Sequence, residues 1–152
     1  MFIPPATKPL GRVYEMRLHN TSRYPTDEVR RLVEFGMRGI RTERLEVHVK
    51  NSSDHFRGMA YHGVPAISTA YGKATVDRLV TIGIGAPERF PHVRMTRYQR
   101  APVYELFTWQ EAVVMVAAHE GRHIQQMQRK RPLSEVDCIR FEAQRVKEFR
   151  DG

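Results

Sequence analysis

The sequence predicts an α+β domain on three patterns. Apolar residues at helical steps follow Pro25-Thr26-Asp27-Glu28, an apolar–polar alternation runs from Leu45 to Lys50, and two long helical segments open at Thr108 and Ser134. The expected architecture is an N-terminal helix and a small, mostly antiparallel sheet packed on those two closing helices. At 152 residues the chain suffices for a single domain, 1–152, with its own core, and the proline-rich residues 1–10 read as a flexible arm.

In the first helix, Val29, Leu32, Val33, Gly36, Met37 and Ile40 form one apolar stripe behind a start rich in acids. Leu45, Val47 and Val49 alternate with Glu46, His48 and Lys50, the pattern of a half-buried strand. Residues 58–63 and 78–84 read as two more strands. The stretches 64–77 and 86–102 carry Gly, Pro and basic residues and read as loops. Thr108-Trp109-Gln110-Glu111 is a capping box, and an apolar run without Gly or Pro follows it from Ala112 to Ala118. The polar run 125–130 and Pro132 end that helix. Ser134 is a good cap for the last one, with Glu135 and Asp137 in its first turn.

The chemistry sits in His119-Glu120-Gly121-Arg122-His123. Two histidines four apart on a helix point from one face and can hold one zinc ion, and the glutamate between them can serve as general base for a zinc-bound water. Ala112, Met115, Val116, His119, His123 and Met127 recur at three- and four-residue steps, so the imidazoles continue a buried stripe. Uncompensated imidazoles would be costly to bury there. Arg122 points off that face, toward solvent or a salt bridge. Gly121 costs the helix about 1 kcal/mol relative to alanine.

A catalytic zinc needs a third protein ligand. On the last helix Glu135, Cys138, Ile139, Glu142, Val146 and Phe149 share one face, while Asp137 lies to one side with Phe141 and Arg145. In a helical hairpin turning near Arg131 the level of His123 falls near Ile139. Glu135 is then a turn before that level and Glu142 nearly a turn after it, and geometry alone does not choose between them. Cys138 can ligate zinc in principle, but it reads as a small core residue.

HEGRH followed by SEVDCIRFEAQRV resembles the gluzincin-type zinc metallopeptidases, of the small kind found in bacteria and phages. The resemblance covers the two closing helices; upstream it extends only to the order of elements. It implies a minimal zincin-like domain that binds zinc and hydrolyses peptide or protein substrates. It implies His119, His123 and Glu135 as ligands and Glu120 as base, with Cys138 in the place of a small alanine and Phe141 in an aromatic place. The chain departs from the pattern at Ile139 and at Glu142, which keeps Glu142 as an alternative ligand, with Asp137 a further one. The resemblance also implies that the sheet's edge strand, one of the two flanking 64–77, runs over the zinc and pairs with an extended peptide. His62 and Tyr61, on the strand before that stretch, are candidate oxyanion donors.

The formal net charge is +8, from 25 Lys and Arg against 17 acids, and basic residues crowd 89–100 and 129–131. That charge suits acidic protein substrates, or nucleic acid with Phe90 and Tyr98 as stacking surfaces, although no nucleic-acid motif accompanies it. The alternative function is therefore a non-catalytic, metal-binding zincin fold acting through its basic surface on nucleic acid or a protein partner. No run of eighteen apolar residues predicts a membrane span. A start too short and proline-rich for a signal peptide, and a lone cysteine, suit a reducing, cytoplasmic setting.

Overall fold

The structure, a computed structural model, describes residues 16–62 and 78–152. Its elements in chain order are β1 (Arg17–Asn20), α1 (Thr26–Gly36), β2 (Leu45–Asn51), β3 (Phe56–His62), β4 (Arg78–Ile84), a 3-10 turn (Pro87–Arg89), β5 (His92–Arg94), β6 (Tyr104–Leu106), α2 (Trp109–Gln128) and α3 (Glu135–Asp151). The α+β class holds. The expected arm, 1–10, and the stretch 64–77 lie outside the described residues.

The sheet corrects the expectation of a mostly antiparallel arrangement. Its order is β1-β2-β4-β3; β1 and β4 both run parallel to β2, and only β3 is antiparallel to its neighbour, β4. The short link 52–55 suggests a β2–β3 hairpin, yet β4 enters between the two strands. Burial explains this. Six of the seven residues of β4 are buried, so it satisfies its apolar surface only as a central strand, whereas β3 keeps Arg57, Met59 and Tyr61 exposed and, among the described residues, lies at the rim. The link then arches over the end of β4, where the Ser52 N–H donates to the Ile84 carbonyl and the Gly85 N–H to that of His55 (both 3.0 Å). Strand β1 was not foreseen, nor was the β5–β6 hairpin, whose first strand falls in the expected loop 86–102. Nor is β2 half-buried in strict alternation: Glu46 is fully buried and bonds His48 two residues on.

The core lies between one face of the sheet and helices α1 and α2. Val29, Leu32 and Val33 meet Leu45, Val47, Val49, Val80, Ile82 and Ile84, with Ala112 to Ala117 of α2 between them. Tyr24 stacks on Trp109 at 3.8 Å and donates to the Gly85 carbonyl at 2.5 Å, tying the start of α1 to the start of α2. Helix α3 packs along α2. Thr108 caps α2 by accepting from the Glu111 N–H (3.2 Å), and Glu111 reaches back to the Phe107 N–H (2.8 Å) while receiving Arg150 of α3. The capping box thus forms with its return bond one residue further out. Helix α2 packs against both β3 and α3, so that Val116, His119, Glu120 and His123 lie between a strand and a helix.

Candidate metal centre

His119, Glu120 and His123 are all buried on α2, 7–8% exposed, facing a cavity of about 420 Å³. The cavity's roof is β3 from Phe56 to Ala60; Met115, Val116, Met127 and Leu133 give it apolar walls, and Arg94 and Glu135 complete the lining. The roof is tight. A Cβ placed on Gly58 would stand 2.6 Å from Glu120 Oε2 and 2.7 Å from Val116 Cγ1, so the strand passes directly over the motif's glutamate. Gly121, on another side of α2, has a matching reason: its Cβ would meet Ile40 Cδ1 at 2.7 Å.

Each imidazole is held by its Nδ1. The Nδ1 of His119 lies 2.7 Å from Glu142 Oε1. Glu142 is wholly buried and also accepts from Arg94 through Nη2 (2.9 Å) and Nε (3.0 Å) and from the Tyr104 hydroxyl. Burial, then the charge of Glu142, holds the Tyr104 phenol far above its ordinary range, so it remains a donor. The Nδ1 of His123 lies 3.1 Å from Gln126 Oε1. The Gln126 amide is oriented by its other bonds: Oε1 accepts from the Ser134 N–H (3.2 Å), and Nε2 donates to Asp137 Oδ2 (2.9 Å) and the Ser134 carbonyl (3.3 Å). Both Nδ1 atoms therefore face acceptors and carry their protons, and both Nε2 atoms are left to face the cavity.

There they meet a single carboxylate. Glu135 Oε1 is 3.0 Å from His119 Nε2, and Oε2 is 2.8 Å from His123 Nε2. Each oxygen of Glu135 thus faces one anchored ring, an arrangement that satisfies an ion pair in the metal-free site and that a shared cation would also satisfy. The donor set of two imidazole nitrogens and one carboxylate fits zinc. Cys138 lies one turn further along α3 and is fully buried; its ligand atom and one from each histidine lie within 4.8 Å of one another, so this buried cluster could itself hold a metal ion. Burial raises the Cys138 thiol far above its usual range, and it offers no anion unless a cation draws the proton off.

Burial opposes the charged form of His119, but the Glu142 hydrogen bond and charge outweigh it and the ring's pKa is raised. Burial raises the Glu120 carboxyl as well, against the pull of His119 and His123. Glu135 goes the other way: its partial burial opposes ionisation, and the two histidines overcome this and lower it. Asp137 is held low chiefly by Arg122, whose Nε and Nη2 lie 2.7 and 3.2 Å from its oxygens. Arg122 thus takes the salt bridge expected of it, and Asp137 is committed to that bridge and to Gln126.

The structure accordingly brings together His119, Glu120, His123 and Glu135, and gives the other two candidate acids on α3, Asp137 and Glu142, further partners. Tyr61 and His62 stand opposite Leu79 and Arg78, past the segment of β3 that lines the cavity. Phe90 packs on the core, and Tyr98 makes its contacts with Arg97 beside it. Four residues of the site escaped sequence reasoning. Gln126 had a local signal, three residues after His123 on one helix face; Gly58, Arg94 and Tyr104 had none, because only the tertiary fold brings Gly58 to α2 and the other two to Glu142 on α3. No protein-family model, curated protein or solved structure matches the chain.

Proposed function

We propose that the protein is a zinc-dependent metallopeptidase in which His119, His123 and Glu135 hold the metal and Glu120 is the general base. The observation that carries this reading is the bridging of Glu135: its two oxygens each lie within 3.0 Å of an Nε2 whose ring is already tied at Nδ1. Glu142 and Asp137 are less suited as ligands, since three partners saturate Glu142 and Arg122 and Gln126 engage Asp137. A bound zinc supplies Lewis acidity, polarising a peptide carbonyl and making water a stronger nucleophile. Glu120 accepts the attacking water's proton and delivers it to the departing amine, so that water adds across the C–N bond. A carboxyl raised by burial suits a group that must take up a proton and release it again. The His119 and His123 rings are oriented through Glu142 and Gln126. The edge of β3 offers backbone groups to an extended substrate, which would lie along the cavity roof.

The test is metal analysis together with hydrolysis of an unstructured protein substrate by wild type and Glu120→Gln. The expected outcome is one zinc per chain in both and hydrolysis in the wild type alone. Equal turnover by the two proteins would remove Glu120 from the role of base, and a wild type that takes up no zinc would end the reading.

A further inference from the structure

Resting on the peptidase reading above, we propose that the substrate is an extended acidic peptide recognised in the order apolar–X–acidic, with Met59 and Arg57 on the free edge of β3 reading its two outer positions. Among the described residues β3 is a rim strand, paired with β4 on one side only. Phe56 and Ala60 pack toward the core and Gly58 lies on Glu120, so Arg57 and Met59 stand on the opposite face of the strand. Both nevertheless line the cavity. A peptide pairing with β3 puts its side chains beside those directly across from it, on the same face.

Met59 is 51% exposed, an apolar surface awaiting an apolar neighbour. Among the described residues Arg57 pairs with Asp54, at 3.2 Å, with the two side chains 72% and 60% exposed; so open an ion pair exchanges readily for another carboxylate. The position between them lies across from Gly58 and hence nearest Glu120 and the histidines. An antiparallel partner, the more stable pairing per residue, meets Met59 before Arg57 and so runs apolar, X, acidic from its N-terminus. In the cavity lining Arg57 and Arg94 offset Glu120 and Glu135, and the chain's net charge of +8 draws anionic chains toward the site.

The experiment uses four fluorogenic peptides that differ only in the two outer positions: Leu–X–Glu, Leu–X–Lys, Glu–X–Leu and Ser–X–Ser. Cleavage is measured with wild type and Arg57→Glu, and binding with the Glu120→Gln variant by fluorescence anisotropy. Arg57 is a surface residue, so its substitution leaves the fold intact, which circular dichroism verifies. Leu–X–Glu should be preferred over Leu–X–Lys by roughly five-fold in kcat/KM at low salt, with the preference fading as salt rises and inverting in Arg57→Glu. Equal cleavage of the two would overturn this inference and leave the peptidase reading standing. A preference for Glu–X–Leu would overturn the antiparallel register, and displacement of Leu–X–Glu by a mixed-sequence oligonucleotide at a lower concentration would replace peptide recognition with a polyanion surface. If nothing is cut but Glu120→Gln binds Leu–X–Glu selectively, the recognition surface stands and the peptidase reading falls.

Discussion

Replacing Glu142 by glutamine should damage the site at its most deeply buried point. The wild-type carboxylate is fully buried and accepts from four donor atoms: His119 Nδ1 and Arg94 Nη2 at Oε1, and Arg94 Nε and the Tyr104 hydroxyl at Oε2. A glutamine amide offers one oxygen and one NH2. Whichever way it turns, one pair of donors faces another donor, and Arg94, itself only 15% exposed, loses its counter-charge. Breaking one partner of such a pair costs about 3–5 kcal/mol. For a domain of this size that corresponds to roughly 6–20 °C in Tm. The second effect is on metal. Without the carboxylate the His119 ring loses the partner that sets its tautomer and direction, which typically weakens metal affinity by about 10–100-fold. Urea unfolding of chelator-treated protein reads the first quantity, and competition with a chromophoric zinc chelator the second. A variant within about 0.5 kcal/mol of wild type and with unchanged zinc affinity would refute the argument that Glu142 organises His119. Arg94→Ala should cost a similar amount, and the double variant less than the sum, since the two residues share one interaction.

Three other outcomes follow from the same geometry. Glu135→Ala should lose zinc while Cys138→Ala keeps it at reduced stability; elemental analysis of both variants decides, and zinc lost from Cys138→Ala alone would make the cysteine the ligand. Gly58→Ala should destabilise the protein by about 1–3 kcal/mol and depress hydrolysis more than zinc content, because the added methyl group would overlap Glu120 rather than the histidines; unchanged turnover would show that β3 does not press on the base. The pH dependence should differ in sign with and without metal. In chelated protein the raised pKa of His119, in which the Glu142 contact outweighs burial, contributes stability that is complete below about pH 6.5 and lost as pH rises through the folded value. With zinc, protons compete for the same nitrogen and stability falls as pH drops below about 6.5. Asp137, held low by Arg122, should be ionised throughout this window. Melting curves between about pH 5.5 and 8.5 that move in the same direction in zinc and in chelator would contradict this account.

The legible parts of the chain were those set by neighbours a few residues away. Thr108 and Ser134 announced the two closing helices because a cap is a contact over three residues, and each accepts the expected N–H. His119, Glu120 and His123 could be placed on one buried face by helical spacing alone, and so could Glu135, Cys138 and Glu142 on the facing helix. Which carboxylate faces the two Nε2 atoms was not local. It depends on how α2 and α3 are set against each other, and on Arg94 and Tyr104 arriving from a distant hairpin to occupy Glu142. The sheet order likewise turned on which strand could leave a face in water, a comparison that no single strand contains. Gly121 carries the contrast in one residue. By helix propensity it is a defect that alanine would mend, but in the fold its missing Cβ is the space that Ile40 fills. Propensity, capping and periodicity belong to the chain; the partner of each buried polar group belongs to the packing, because it is decided by elements far apart in sequence.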